Sequence, residues 1–383
     1  MRRLGEGPPP PPLPRLTEIP ADIAAVEDYA AFARERMAPQ AWAYLNGGAA
    51  DEITVAENVA AFRRLRVRGR VMADLQGGHT AVDLFGQRFD YPIMLAPVAF
   101  QKLAHPDGER ATAVAAAAMK ACMVVSTQSS VTLEEIARAG QGPLWFQLYI
   151  QPDRAFTEAL VRRAEAAGYR ALVVTVDAPV NGVRNVEQRA GFALPPGVSA
   201  VNLQGMRAPA GHAARAGDSP FFGTPLAALA PTWKDLAWLR GLTRLPLLAK
   251  GVTSPEDAVR AIGAGIDGIV VSNHGGRTLD TLPATIDLLP PIADAVGRRV
   301  PLLLDGGVRR GTDVLKALAL GAAAVLVGRP HVHALAAAGP AGVAHVLHIL
   351  RTELEVAMAL TGCRTLADVD RSVLWLSDST SGP

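Results

Sequence analysis

The chain has 383 residues, 49% of them hydrophobic and 19% charged, with a formal net charge of +2. That length suits one large single-core domain or two ordinary ones, and the near-balanced charge leaves no footprint for nucleic acid or a membrane surface. Two cysteines, Cys122 and Cys363, are too few for a disulfide framework and lack metal-ligand spacing, so no metal is expected and a reducing cytoplasm is the expected setting.

The basic start, Met1 to Arg3, runs into Pro8 to Pro12 without an apolar segment and does not read as a signal peptide. No run of about 18 apolar residues argues for membrane insertion. Residues 1–20 are proline-rich and read as an extended or disordered tail, which leaves 21–383 as the folded domain. Ile23, Val26, Tyr29, Phe32 and Met37 fall at helical spacing, broken at Pro39 and resumed through Trp42 and Tyr44. Two helices are therefore expected, the second ended by the turn at Asn46, Gly47 and Gly48.

Eight short apolar runs follow, at 93–96, 123–126, 144–149, 171–177, 245–250, 268–272, 300–305 and 324–328. Alanine-rich stretches of helical period lie between them, such as 110–120, 156–167, 255–263 and 313–320. Continuous apolar strands alternating with helices imply a parallel sheet, and eight such units imply an α/β fold of the closed (β/α)8 type with an N-terminal helical extension. A doubly wound open sheet would need a glycine-rich turn after the first strand, where Ala96, Pro97, Val98 and Ala99 stand instead. The glycine-, proline- and alanine-rich stretch 185–230 reads as a mobile lid, and the apolar helix expected over 341–360 as packing on the barrel.

The C-terminal ends of barrel strands face one another, and sites are built there. In chain order these ends carry Pro97, Val98 and Ala99; Ser126 and Thr127; Gln147 and Tyr149; Thr175 and Asp177; Lys250; Ser272 and His274; Asp305, Gly306 and Gly307; then Gly328 and Arg329. Polar residues in otherwise apolar runs thus collect at one end. After the sixth run, His274 and Arg277 flank two glycines, which places a base and a fixed cation close together on backbone that a ligand can approach. Such a pairing suits a small acid. The last two ends join glycines to Arg309 and Arg329, with a helix expected near Thr312, the combination that forms phosphate sites in this architecture. His331, His333, His345 and His348 lack an accompanying carboxylate or cysteine and read as helix-face residues, not metal ligands.

Six stretches in order, LAPVAFQKLAHPDGE, FQLYI, TVDAPVNGVRN, LLAKGV, VSNHGGRTLD and LDGGVRRGTDVLKALALGAAAVLVGRP, resemble the FMN-dependent α-hydroxy acid oxidase and dehydrogenase family, which includes glycolate oxidase, lactate oxidases and mandelate dehydrogenase. The resemblance runs from about Tyr44 to Cys363, and AYLNGGAADEITVAENVAAF matches the family's N-terminal helical segment.

That resemblance implies FMN as cofactor and a small (S)-2-hydroxy acid of the lactate, glycolate or mandelate class as substrate, oxidised to the 2-oxo acid. It makes His274 similar to the family's base, oriented by Asp177, and Arg184 and Arg277 similar to the guanidinium groups that grip the substrate carboxylate. Tyr44 and Tyr149 resemble the phenols that reach the substrate's oxygens. Lys250 resembles the cation beside the flavin ring's N1 edge, where reduction places negative charge. Pro97, Val98, Ala99, Ser126, Gln147, Tyr149, Thr175 and Ser272 are implied around the ring, with Asp305, Gly306, Gly307, Arg309, Gly328 and Arg329 towards the phosphate. Gln128, Phe100 and Asn181 are implied in the pocket wall and do not choose among these substrates. Oxygen or another acceptor would reoxidise the flavin, and a homotetramer is one expectation, since members of the family are often tetrameric. Two other readings stay open: an FMN barrel of the type 2 isopentenyl diphosphate isomerase kind, and a non-catalytic flavin-binding protein.

Overall fold

The computed structural model describes residues 11–207 and 217–375. Three helices come first: α1 (Tyr29–Arg36), α2 (Pro39–Asn46) and α3 (Ile53–Arg64). Pro39 breaks the helical pattern because it opens the second helix, where its missing N–H costs nothing. A small antiparallel hairpin follows, β1 (Val82–Leu84) and β2 (Gln87–Phe89).

The eight expected strands all form. They are β3 (Ile93–Leu95), β4 (Met123–Ser126), β5 (Leu144–Leu148), β6 (Leu172–Thr175), β7 (Leu247–Val252), β8 (Gly268–Val271), β9 (Leu302–Asp305) and β10 (Ala324–Val327). All pair in parallel, and β10 bonds to both β9 and β3, so the sheet closes into a barrel. The intervening helices are α4 (Glu109–Ala118), α5 (Leu133–Ala139), α6 (Arg154–Ala166), α7 (Asn185–Arg189), α8 (Pro225–Ala228), α9 (Trp233–Leu242), α10 (Pro255–Gly263), α11 (Thr285–Val296), α12 (Gly311–Ala319) and α13 (Arg329–Leu360). Several start where the sequence supplies a cap: Thr132 with Glu135 for α5, Asp153 for α6, and Ser254 ahead of Pro255 for α10.

Alternate residues of a strand face opposite ways, and the packing follows that rule. Met94, Val124, Trp145, Val173, Leu248, Val270, Leu303 and Leu326, one from each strand, share a single apolar cluster. Mutual contact among all eight strands is possible only inside the barrel. Their neighbours, such as Leu95, Val125, Phe146, Ala249, Ile269, Leu304 and Val327, join the larger cluster under the helices. The next inward position on each strand is two residues on: Ala96, Ser126, Gln147, Thr175, Lys250, Ser272, Asp305 and Gly328. The upper rim is therefore polar for the same geometric reason that the middle is apolar.

The lower end is plugged. Leu84 and Phe89 of the hairpin belong to the interior cluster, and Phe85 and Phe89 meet Trp145 edge-on. A Cβ on Gly268 would lie 2.5 Å from Phe85, so a side chain there is excluded.

The tail departs from expectation, the lid stretch has a fixed point, and the C-terminal helix packs on the barrel as expected. The tail is extended, but its described part is not free: Leu13 N–H donates to Glu35 O and Leu16 N–H to Ala337 O, while Leu16 and Ile19 pack on the core. Residues 1–10 lie outside the described residues. The stretch 185–230 is tied down at Asn202, which is buried and bonded to Leu133 N, Ser129 Oγ and Val131 O; residues 208–216 of it lie outside the described residues. Finally, α13 is long and apolar enough by composition to cross a membrane, yet 67% of that window is buried in the protein and Gly339 breaks it with φ +61°. It is a core helix, packed against α1, α4 and α12.

Three of the four histidines of α13 are hydrogen-bonded. Nδ1 of His331 lies 2.7 Å from Val327 O, His345 meets the Tyr29 hydroxyl at 2.9 Å, and His333 bonds Asn46 Oδ1 at 3.1 Å while stacking on Trp42. Burial pushes His331 down to about 4, and burial with Arg309 and Arg329 pushes His333 down to about 3. Both are buried neutral, so their contribution to stability is present above pH 6.5 and is lost as pH falls towards these values. The melting temperature should therefore drop between pH 7 and pH 4. His333→Asn should lower it at pH 7 and flatten that dependence; an unchanged pH slope in the variant would refute the assignment.

Candidate active site

Lys250 sits almost fully buried at the polar rim. Its Nζ donates to Ser272 Oγ and pairs with Asp305 Oδ2, each at 3.0 Å. Burial alone would lower its pKa, but Asp305 and Asp177 outweigh that and hold it above the ordinary lysine value. Deleting one partner would strand the other charge, at a cost of roughly 3–5 kcal/mol. Around the same rim Gln147 Oε1 accepts from Ser126 Oγ, and its Nε2 donates to Thr175 Oγ1 at 2.9 Å. These inward side chains form a linked polar ring.

His274 lies three residues past β8 with φ +58°, followed by Gly275 and Gly276 at +63° and +74°. A left-handed histidine costs of order 1 kcal/mol, so the surroundings must hold it. They do. Ser272 Oγ accepts from His274 N–H, Asn273 and Asn58 exchange amide hydrogen bonds, and Gly276 O accepts from Ala49 N–H. A Cβ on Gly276 would meet Val55 of α3 at 2.8 Å. Asp280 fastens the far end of this loop to α3, accepting from the N–H groups of Asp51, Ile53 and Thr54.

Nδ1 of His274 is 3.0 Å from Asp177 Oδ1, and Nε2 is 3.4 Å from the Tyr149 hydroxyl. Burial would raise Asp177, but the imidazole and Lys250 prevail and hold it below the usual carboxylate range. Burial, only partly offset by Asp177, pushes His274 below 6.5. At neutral pH the carboxylate is ionised and the ring neutral. The ionised Asp177 can only accept, so Nδ1 carries the hydrogen and Nε2 presents a lone pair. Burial pushes the Tyr149 hydroxyl up to about 12, so it stays protonated. Gly251 makes this pair possible, because a Cβ there would sit 2.3 Å from the Asp177 carboxyl carbon.

Arg277 donates through Nη1 to Tyr44 O and Gly47 O at 2.7 and 2.6 Å and lies over the Tyr44 ring. Arg184 Nη1 pairs with Glu187 Oε1 at 3.0 Å, and Arg277 Nη2 approaches the same oxygen at 3.5 Å. Glu187 was not singled out from sequence. Tyr44 stacks on Phe192 at 4.5 Å, which fixes the wall beside the arginines.

One cavity of about 1460 Å³ runs across the barrel mouth and holds nearly every expected site residue. Pro97, Val98 and Ala99 line one side, with Ser126, Gln147, Tyr149, Thr175 and Asp177 around the rim; Tyr44, Arg184, His274 and Arg277 stand above Lys250. Asp305, Gly306, Gly307, Arg309, Gly328 and Arg329 form the far end. Ser272 differs from expectation: it is fully buried behind Lys250 and His274 and does not line the cavity. Arg329 differs too. Its guanidinium is committed to the carbonyls of Asn46, Gly47 and Gly275, and burial together with Arg277 and Arg309 pushes it down to about 9. What it offers an anion is the start of α13, where N–H groups lack intrahelical partners.

The shape and charge fit a flavin mononucleotide. Buried Lys250 and the Gln147 amide suit the electron-accepting edge of a ring. Gly306 and Gly307, at φ +93° and +88°, suit the close approach of a phosphate beside Arg309 and the α13 N-terminus. A Cβ on Gly307 would lie 2.0 Å from Asn58 O, so the turn tolerates no other residue.

Residues 33–376 match the FMN-dependent dehydrogenase family. The chain is 49% identical over 361 residues to an L-lactate oxidase of Alicycliphilus denitrificans, covering 93% of this chain and 97% of that one. It is 45% identical over 363 residues to glycolate oxidase 1 of Zea mays, covering 94% and 98%. A solved structure of mandelate oxidase with (S)-2-phenylpropionate superimposes with a TM-score of 0.82 at 43% identity, covering 92% of this chain and 98% of that one. A closed parallel barrel, a cavity suited to a flavin and these likenesses meet in one conclusion: the chain belongs to the FMN-dependent α-hydroxy acid oxidase and dehydrogenase family, whose members are oxidoreductases acting on CH–OH donors.

Proposed function

We propose that the protein oxidises a small (S)-2-hydroxy acid to its 2-oxo acid, with His274 as the base. The observation that carries this reading is the Asp177–His274 bond, which leaves Nε2 unprotonated in a cavity that also holds two guanidinium groups and a buried ammonium. FMN, when bound, supplies the two-electron acceptor beside Lys250. Arg184 and Arg277 bind the substrate carboxylate, with the Tyr44 hydroxyl beside them. Nε2 then takes the proton released on oxidation, and Asp177 stabilises the imidazolium so formed. Tyr149 Oη, 3.4 Å from Nε2, orients the substrate hydroxyl towards the base. Lys250, kept charged by Asp305, offsets the negative charge that arrives with the electrons. Oxygen or another acceptor completes the cycle, and the relatives named as oxidases favour oxygen.

Lactate, glycolate and mandelate offered in turn to the FMN-loaded protein without oxygen should bleach its flavin absorbance with at least one of them, and admitting oxygen should restore it. No bleaching by any 2-hydroxy acid would sink the proposal. His274→Gln should keep FMN while flavin reduction slows on the order of 10²–10⁴-fold; a near-normal rate would remove His274 from the role. Because burial lowers the imidazole pKa, kcat/KM should hold through pH 6.5 and fall only below it, as the base becomes protonated. An acid limb centred above pH 6.5 would contradict this.

A further inference from the structure

Glu109, the first residue of α4, is fully buried, does not line the cavity and has no ion-pair partner among the described residues. A buried carboxyl is costly unless its oxygens are satisfied. Oε1 accepts from the N–H groups of Gln101 and Ser130 at 3.0 and 2.9 Å, and Oε2 accepts from Ser130 Oγ at 2.7 Å. Burial raises its pKa, and these donors oppose the rise. Its partners belong to two different loops, one after β3 and one after β4, so a single side chain ties them together.

Both loops reach the cavity. The first carries Phe100 in the left-handed region at φ +54°, a conformation that its surroundings must hold, and Phe100 N–H donates to Gln128 O of the second. Lys102 N–H donates to Ser130 Oγ at 3.0 Å. The Gln101 side chain, fixed by Thr112 Oγ1 at 2.6 Å, reaches Val98 O through Nε2 at 3.4 Å. On the second loop Gln128 N–H donates to Ser126 Oγ, which is bonded in turn to Gln147. Val98 and Ala99 line the cavity, and their N–H groups have no hydrogen-bond partner among the described residues.

We infer that Glu109 is a positioning residue for the flavin: by accepting from one backbone N–H of each loop it fixes 97–101 against 126–130, and so sets where the Val98 and Ala99 N–H groups meet the ring. This rests on the reading that the ring lies beside these residues, and it adds what holds them. Without the acceptor two amides would be buried unpaired, and the loops could escape that cost only by moving apart. Val98 would follow through Gln101. Arg184, Arg277 and His274 stand on other elements and would keep their own partners.

The test starts from the FMN-loaded protein and follows release of the cofactor on dilution, read as the rise of free-FMN fluorescence. Glu109→Ala, folded by circular dichroism, should release FMN roughly tenfold faster or more, and should slow flavin reduction by a similar factor with whichever 2-hydroxy acid bleaches the wild type. The dissociation constant of unreactive propionate, read in the loaded variant, should shift clearly less. Glu109→Gln keeps an oxygen for both amides and should bring release and reduction back close to wild type. Thr112→Val lies off the cavity and frees only the Gln101 side chain; it should speed FMN release by a smaller but measurable factor, and it decides the question if Glu109→Ala does not fold. Wild-type release and reduction in Glu109→Ala, an equal loss of propionate binding, a Gln variant as impaired as the Ala variant, or wild-type release from Thr112→Val would each overturn the inference. Release is measured without substrate, so these outcomes stay distinct from a failure of any hydroxy acid to bleach the flavin.

Discussion

A lysine ammonium buried at the centre of a barrel mouth is tenable only because Asp305 faces it from the strand two places round the sheet. That pair sets much of the remaining design. It requires β7 and β9 to present inward side chains at the same height, which the register supplies through β8: Lys250 aligns with Val270, and Val270 with Leu303, two residues before Asp305. The same inward parity places Ser272 where its Oγ accepts from both Lys250 Nζ and the His274 N–H. One buried charge pair thus fixes the phase of three strands, and a slip of one residue would turn all of these groups towards the helices.

Above this ring the strained loop after β8 is held from outside the barrel. α3 binds it through Asn58 and the amides capped by Asp280, and α2 lends its last carbonyls to Arg277 and Arg329. The N-terminal helices are therefore a brace for the loop that carries His274 and Arg277. Arg329 is the clearest case, for a residue that looks on paper like an anion ligand spends its side chain joining α2 to the loop at Gly275.

The barrel was legible because a parallel strand buried on both faces must be a continuous apolar run, and all eight runs stand out. Most of the site was legible for a related reason: a polar residue ending such a run sits at the buried rim, where only a polar partner or a ligand can satisfy it. The missing parts are those whose meaning depends on a distant partner. Glu187 looks like any charge on a surface helix until Arg184 and Arg277 are placed beside it. Gly251 looks like a strand-end glycine until Asp177 occupies the space where its Cβ would be. The hairpin of β1 and β2 is too short to show a period, although Phe85 and Gly86, both at positive φ, form its two-residue turn. A proline-rich composition likewise suggested a free tail, and contacts with Glu35 and Ala337 decided otherwise for its described part. Family resemblance supplied Tyr44, which spacing alone would have left in the core.

The hairpin has a wider effect than stopping a hole. With Phe85 and Phe89 wedged beneath Trp145, the described residues close the lower end, and the cavity opens at the mouth, where residues 176–184 after β6 line it. A ligand bound above Lys250 would therefore share that mouth with Arg184 and Arg277.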